Sequence, residues 1–224
     1  MKWISLTNGR VEKLHLKDIN KFTIIQNKMN IDYIKDKLNF LQSNPDKLNI
    51  IIPKEFFLNP VIPESEVLSI ESNKNIKFPK DYRDFITKIG NGCIGPDYGL
   101  LPLQESMIDF KLKTKPTIDL SLPFPYSESW NEDWIFDIDW DSGERPDESQ
   151  LNPYMDTSHI NGCLQICHIG HGCTYLLVVN GIEYGNIWTD DRADYGGINP
   201  LLDDNGLIMS FEGWYTNWLE EVIK

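Results

Sequence analysis

The spacing of apolar residues changes along the chain and divides it into zones. Over Ile31–Ser43, Ile31, Ile34, Leu38 and Leu41 recur three and four residues apart, which predicts an amphipathic helix. Around it, runs at residues 3–6, 22–25 and 48–52 have strand length, and Asn8-Gly9 has the chemistry of a hairpin turn. Pro63-Glu64-Ser65-Glu66 predicts a second helix start, because proline and acids suit a helix amino terminus. A third helix is predicted from Pro79, with Tyr82, Phe85, Ile86 and Ile89 as its apolar face and a stop from Gly90 to Gly92. Gly95-Pro96-Asp97-Tyr98-Gly99 then reads as a turn leading into a short strand at 100–103.

Residues 113–160 are rich in proline (Pro116, Pro123, Pro125, Pro146, Pro153), which predicts loops and short elements. Beyond them a strand at 164–168 turns through Gly170-His171-Gly172 into another at 174–179. Asn180-Gly181 reads as a two-residue hairpin into a third strand at 183–189. Phe211, Trp214, Tyr215, Trp218, Leu219 and Val222 keep helical spacing near the carboxyl end, an aromatic stripe read as core. The expected class is α+β: a central, largely antiparallel sheet with helices packed on it and an amphipathic C-terminal helix. The order of elements disfavours a Rossmann fold, and no phosphate-cradling glycine motif follows a strand.

The 224 residues carry 21 Lys plus Arg against 34 Asp plus Glu, a net charge of −13. That balance argues against direct binding to nucleic acid or an anionic membrane and favours a basic protein partner. No apolar run is long enough to span a bilayer and no signal-peptide pattern follows Met1, so a soluble cytoplasmic protein is expected. The four cysteines are then reduced thiols. Three of them share Cys163-Leu-Gln-Ile-Cys167-His168-Ile-Gly-His171-Gly-Cys173 with two histidines, and a metal-dependent enzyme built on this segment is one alternative. A strand there would hold Cys163 and Cys167 about 13 Å apart, too far for two sulfurs on one zinc, so thiols packed in a sheet are preferred. On a strand Cys167 and His168 also face opposite ways, and neither GxSxG nor HExxH occurs. No catalytic residue, metal ligand or cofactor is assigned.

Residues 128–148 stand out, with nine acids, one base (Arg145) and three interleaved tryptophans. Two readings compete. The segment is a solvated face whose tryptophans cover the core, or it is a partner-binding site made of Trp130, Glu132, Asp133, Trp134, Asp137, Asp139, Trp140 and Asp141. Asp190, Asp191 and Asp194 are read as turn-forming acids; their spacing is not that of a calcium loop.

Phe78-Pro79-Lys80-Asp81-Tyr82-Arg83-Asp84-Phe85, followed by Gly90-Asn91-Gly92, resembles the LPxDYxxFL helix and glycine turn of the SUKH superfamily. That superfamily includes yeast cell-wall-assembly regulators and bacterial immunity proteins. Gly95 to Leu103, Gly162 to His168, Leu176 to Gly181, Ile187-Trp188-Thr189-Asp190-Asp191 and the closing FxxWYxxWL helix resemble its later segments, in order. The resemblance implies a SUKH-like domain over 59–224; residues 1–58 fall largely outside it and are expected to form an N-terminal extension packed on that core. It also implies a noncatalytic binder, an immunity protein that blocks a cognate toxin domain, with a basic nuclease as the expected target. The eukaryotic relatives imply an alternative, an intracellular regulatory scaffold. Oligomeric state is left open.

Overall fold

The computed structural model describes residues 2–5, 11–14, 29–45 and 55–223. β1 (Lys2–Ser5) and β2 (Val11–Leu14) form an antiparallel pair with Lys2 opposite Leu14. The Asn8-Gly9 turn and the runs at 22–25 and 48–52 lie outside the described residues.

Three helices fall where spacing and capping residues put them. α1 (Ile31–Ser43) starts after Asn30, whose side chain accepts the Tyr33 N–H at 3.0 Å, and it buries Ile34, Leu38 and Leu41. α2 (Glu64–Lys74) and α3 (Lys80–Lys88) each begin directly after a proline. The buried Glu71 carboxylate ties them together, accepting the Phe78 N–H at 3.0 Å and the Arg83 Nε–H at 3.2 Å. Tyr82, Phe85 and Ile86 fill the inner face of α3, and Ile89 at its end is buried with them.

A short helix α4 (Leu103–Ser106) follows, so the strand expected at 100–103 is corrected. Only Leu100 pairs, bridging Cys93 on one side and Cys167 on the other. Pro102 has no N–H to give a ladder and instead starts the helix. The proline-rich middle holds only α5 (Trp134–Asp137) and α6 (Glu148–Tyr154) as α-helices. The chain then enters the sheet: β3 (Cys163–Gly170), β4 (Cys173–Val178), β5 (Ile187–Asp190) and β6 (Ile198–Pro200), antiparallel and in that order. α7 (Phe211–Val222) closes the fold, capped by Ser210, and α1 packs against both α3 and α7. The architecture is α+β.

The two-residue hairpin expected at Asn180-Gly181 is also corrected, because residues 179–186 form a longer connection between β4 and β5. Asn180 is needed elsewhere. Its amide donates to the carbonyls of Leu120 (3.2 Å) and Ser121 (2.9 Å), and its own carbonyl accepts the Phe124 N–H at 2.8 Å. Tertiary hydrogen bonds thus take the residue that local turn chemistry would have used.

Strand alternation gives the sheet two faces with different covers. Tyr175 on β4 turns towards α7, its ring 5.0 Å from Trp214. Thr174, and Trp188 and Asp190 on β5, turn the other way. There Trp188 meets Phe124 at 5.0 Å, and the loop-rich middle covers them.

Asp190, Arg192 and Lys111 form an ion cluster on that second face, all with buried side chains. Arg192 grips Asp190 through Nε and Nη2, both at 2.9 Å, and its Nη1 donates to the carbonyls of Tyr154 and Asp156, also at 2.9 Å. Burial opposes ionisation of Asp190, but Lys111 and Arg192 outweigh it and hold the carboxyl at about 2. Replacing Asp190 by Asn would leave two buried cations uncompensated, so denaturant unfolding should register a loss of about 3–5 kcal/mol. The depressed pKa also fixes a sign. The stabilisation from Asp190 is complete above its unfolded value near 3.8 and is lost as pH falls towards 2. An acid titration of the unfolding midpoint should therefore steepen in that window for the wild type and flatten for Asp190→Asn.

Candidate protein-binding surface

The acidic segment is built on an aromatic stack. Trp130 bridges Ile198 of β6, with N–H···O distances of 2.9 and 2.8 Å, and so extends the sheet by one residue. This approach requires glycine at 197. Its φ is +77°, and a Cβ there would sit 2.1 Å from the Trp130 carbonyl oxygen. The Trp130 ring stacks on His159 at 4.3 Å, Tyr126 at 5.1 Å and Tyr154 at 5.6 Å. His159 donates from Nε2 to the Pro153 carbonyl at 2.9 Å, so its Nδ1 accepts the Tyr126 hydroxyl. Burial pushes the pKa of His159 down, in keeping with that neutral tautomer. Asn131 fastens the same layer, accepting the Tyr154 hydroxyl and donating to the Tyr195 carbonyl, each at 2.9 Å.

The eight residues singled out by sequence divide into three groups. Trp130 and Trp134 are half-buried, the latter packed edge-on to Tyr154 at 5.4 Å, and they hold the segment to the sheet. Asp139 caps a short turn, accepting the Ser142 N–H at 3.2 Å, and Glu132 is half-buried. Asp133, Asp137 and Asp141 are exposed, and Trp140 stands among them at 36% exposure. The Trp140 ring lies 4.7 Å from Tyr195, with the Arg145 guanidinium 5.6 Å from its centroid. Ile135, Trp140, Arg145, Asp194 and Tyr195 line a shallow depression there of about 480 Å³.

Phe136, at 76% exposure, was missed by the sequence reading. It projects from the single turn of α5 beside Asp137, while its neighbour Ile135 is buried. Counting tryptophans could not find it. The signal that could have is the Trp-Ile-Phe-Asp turn itself, too short to bury three consecutive apolar side chains.

The cysteine–histidine segment forms β3 and the start of β4. A bulge separates Gln165 from Cys167, and all three of its thiols are buried. Cys167 reaches the Pro96 carbonyl at 3.2 Å while His168 packs against Phe110 at 5.0 Å, so the two neighbours look opposite ways. Burial pushes the Cys173 thiol up to about 11 and the Cys93 thiol to about 12, far from a reactive thiolate. Among the described residues no three His, Cys, Asp or Glu side chains are gathered to hold a metal ion. Nor is any of their helices long and apolar enough to cross a membrane. Asp191 accepts the Thr189 hydroxyl at 2.7 Å, so with the buried Asp190 it serves the turn after β5.

Comparison with protein families decides the relationship. The model of the SMI1 / KNR4 family (SUKH-1) matches residues 62–204. The chain belongs to that family. The matched span runs from the start of α2 through β6 and includes the whole acidic segment. The comparison with curated proteins and that with solved structures each returned no match. SUKH-1 membership supports an immunity or related protein-binding role in general.

The two kinds of residue in this SUKH-1 segment should separate in unfolding experiments. Trp130→Ala removes the centre of the stack and should lower stability by about 2–4 kcal/mol. Asp133→Lys, Asp137→Lys and Asp141→Lys together should change it by less than about 1 kcal/mol, since their side chains are exposed.

Proposed function

We propose that this SUKH-1 protein is an immunity protein that binds and neutralises a cognate basic toxin domain, a nuclease, by covering its surface with the 128–148 segment. The observation that carries the reading is the arrangement of that segment. Eight of its nine acids are exposed, and Phe136 and Trp140 are displayed among them on a layer locked to the sheet. A nuclease holds its polyanionic substrate in a basic cleft, and an acidic surface is complementary to such a cleft. The acids speed encounter through long-range attraction, and an exposed aromatic side chain supplies the short-range, desolvated contact. Binding of this kind needs no bond-making by the protein itself, and its place of action is the cytoplasm, where a toxin would meet its target.

Where a neighbouring gene encodes a secreted protein ending in a variable toxin domain, that domain is the partner for the test. Co-expression should protect cells from that domain, and the purified pair should associate faster at low salt. Charge reversal at Asp133, Asp137 and Asp141 should slow association about tenfold at low ionic strength and flatten its salt dependence. Phe136→Ala should leave association nearly unchanged and speed dissociation about tenfold or more. Unchanged kinetics in both variants would remove the segment from the interface. Failure to protect would sink the immunity reading and favour the regulatory scaffold implied by the eukaryotic relatives.

A further inference from the structure

Arg145 is the one base among the nine acids of residues 128–148, yet among the described residues it makes no ion pair. The carboxylates nearest to it in sequence are spent on the backbone. Glu144 accepts the Asp139 N–H at 3.0 Å, and Asp139 accepts the Ser142 N–H at 3.2 Å. The Arg145 guanidinium instead lies over the Trp140 ring, 5.6 Å from its centroid. Its one hydrogen bond among the described residues runs from Nη1 to the Glu144 carbonyl at 2.6 Å, so most of the donors in its planar fork are unspent. The seat is held from several directions. Pro146 is buried and disfavours helical backbone at Arg145, Trp140 donates from Nε1 to the Ile135 carbonyl at 3.3 Å, and the Tyr195 carbonyl accepts from Asn131 at 2.9 Å. Arg145, Trp140 and Tyr195 thus line one depression with Ile135 and Asp194, and they are the three residue types in which binding hot spots are richest. Asp194 accepts from the Cys173 thiol at 3.8 Å and makes no ion pair with Arg145.

We propose that Arg145 is the specificity contact of this surface and receives a carboxylate that the cognate toxin domain carries within its basic face. The inference rests on the toxin reading above and names what that partner must present. Stacking on the indole occupies the face of the guanidinium and leaves its edge, where the N–H donors point, open to a planar carboxylate. It also narrows the side chain's freedom before the partner arrives, so less entropy is lost on contact. The surrounding acids attract any basic surface, whereas Arg145 tells such surfaces apart. A partner offering only cations at this point sets like charge against the guanidinium and loses affinity, and one offering an acid gains a charge-assisted pair that fixes its register.

Association and dissociation kinetics of the full chain with the toxin domain test the proposal. Arg145→Gln makes the surface more acidic, so association at low salt should stay the same or rise up to about twofold, while dissociation should speed about tenfold. Loss of a surface charge alone would move association without that change in dissociation. Arg145→Lys keeps the charge but not the fork, and should speed dissociation about threefold. Arg145 is exposed, so neither variant should shift the unfolding midpoint. Replacing the toxin's acids one at a time by their amides should find one whose loss adds nothing to Arg145→Gln. Unchanged dissociation in Arg145→Gln, or no such acid, overturns the proposal. Slower dissociation in Arg145→Gln also overturns it, and gives the Trp140 face to a cation of the partner. Failure of the wild-type chain to bind sinks the toxin reading and this inference with it, whereas normal wild-type binding with an unaffected Arg145→Gln sinks this inference alone.

Discussion

The buried Asp190 carboxylate, clamped between Arg192 and Lys111, joins the sheet to everything that covers its second face. Asp190 belongs to β5, Lys111 to the loop after α4, and Arg192 reaches the backbone at Tyr154 and Asp156. Three separate stretches of chain thus meet at one charge cluster. An ion pair in the interior is weak evidence of net stability, because desolvation offsets most of the Coulomb attraction. What it supplies is discrimination: a loop that misplaced either cation would leave a charge buried without a partner. The backbone hydrogen bonds within the proline-rich middle close only local turns and do not fix its course over the sheet, so this requirement matters most there.

The fixed layer above the cluster explains how an acidic loop becomes a surface. Tyr154, whose carbonyl accepts from Arg192, also stacks with Trp130 and gives its hydroxyl to Asn131. A backbone held by these contacts has little conformational entropy left to lose, the condition on which the proposed interface draws. Phe136 and Trp140 gain in the same way, being held out from a backbone that is already ordered. Charge and exposed aromatic area on one rigid support are the two properties that a fast and tight protein interface requires.

The sheet separates two chemically different surfaces. Towards the loop-rich side the exposed carboxylates are dispersed around Phe136 and Trp140. Towards α7 the carboxylates of Asp97, Asp204 and Glu221 stand at an open depression beside the buried Trp214 and Trp218. The same excess of acids over bases is thus displayed in two settings, and neither is visible in the net charge.

The amino-acid sequence by itself determined the elements whose signals are local. α1, α2, α3 and α7 depend on apolar spacing and capping residues within a turn or two of each other, so their positions, the α+β class and the SUKH resemblance were legible. So was the strand character of the cysteine segment, which alternation carries. Tertiary structure decided the rest. Leu100 pairs at one residue because Pro102 starts a helix, and Asn180 leaves its turn because residues 120–124 offer better hydrogen bonds. It also divided one acidic string into supports, caps and exposed groups. Which side of a loop faces water depends on what lies beneath it, and Trp130, His159, Tyr154 and Arg192 come together from positions far apart in the chain. Periodicity reads neighbours along the chain; a buried charge or a stacked ring is fixed by neighbours in space.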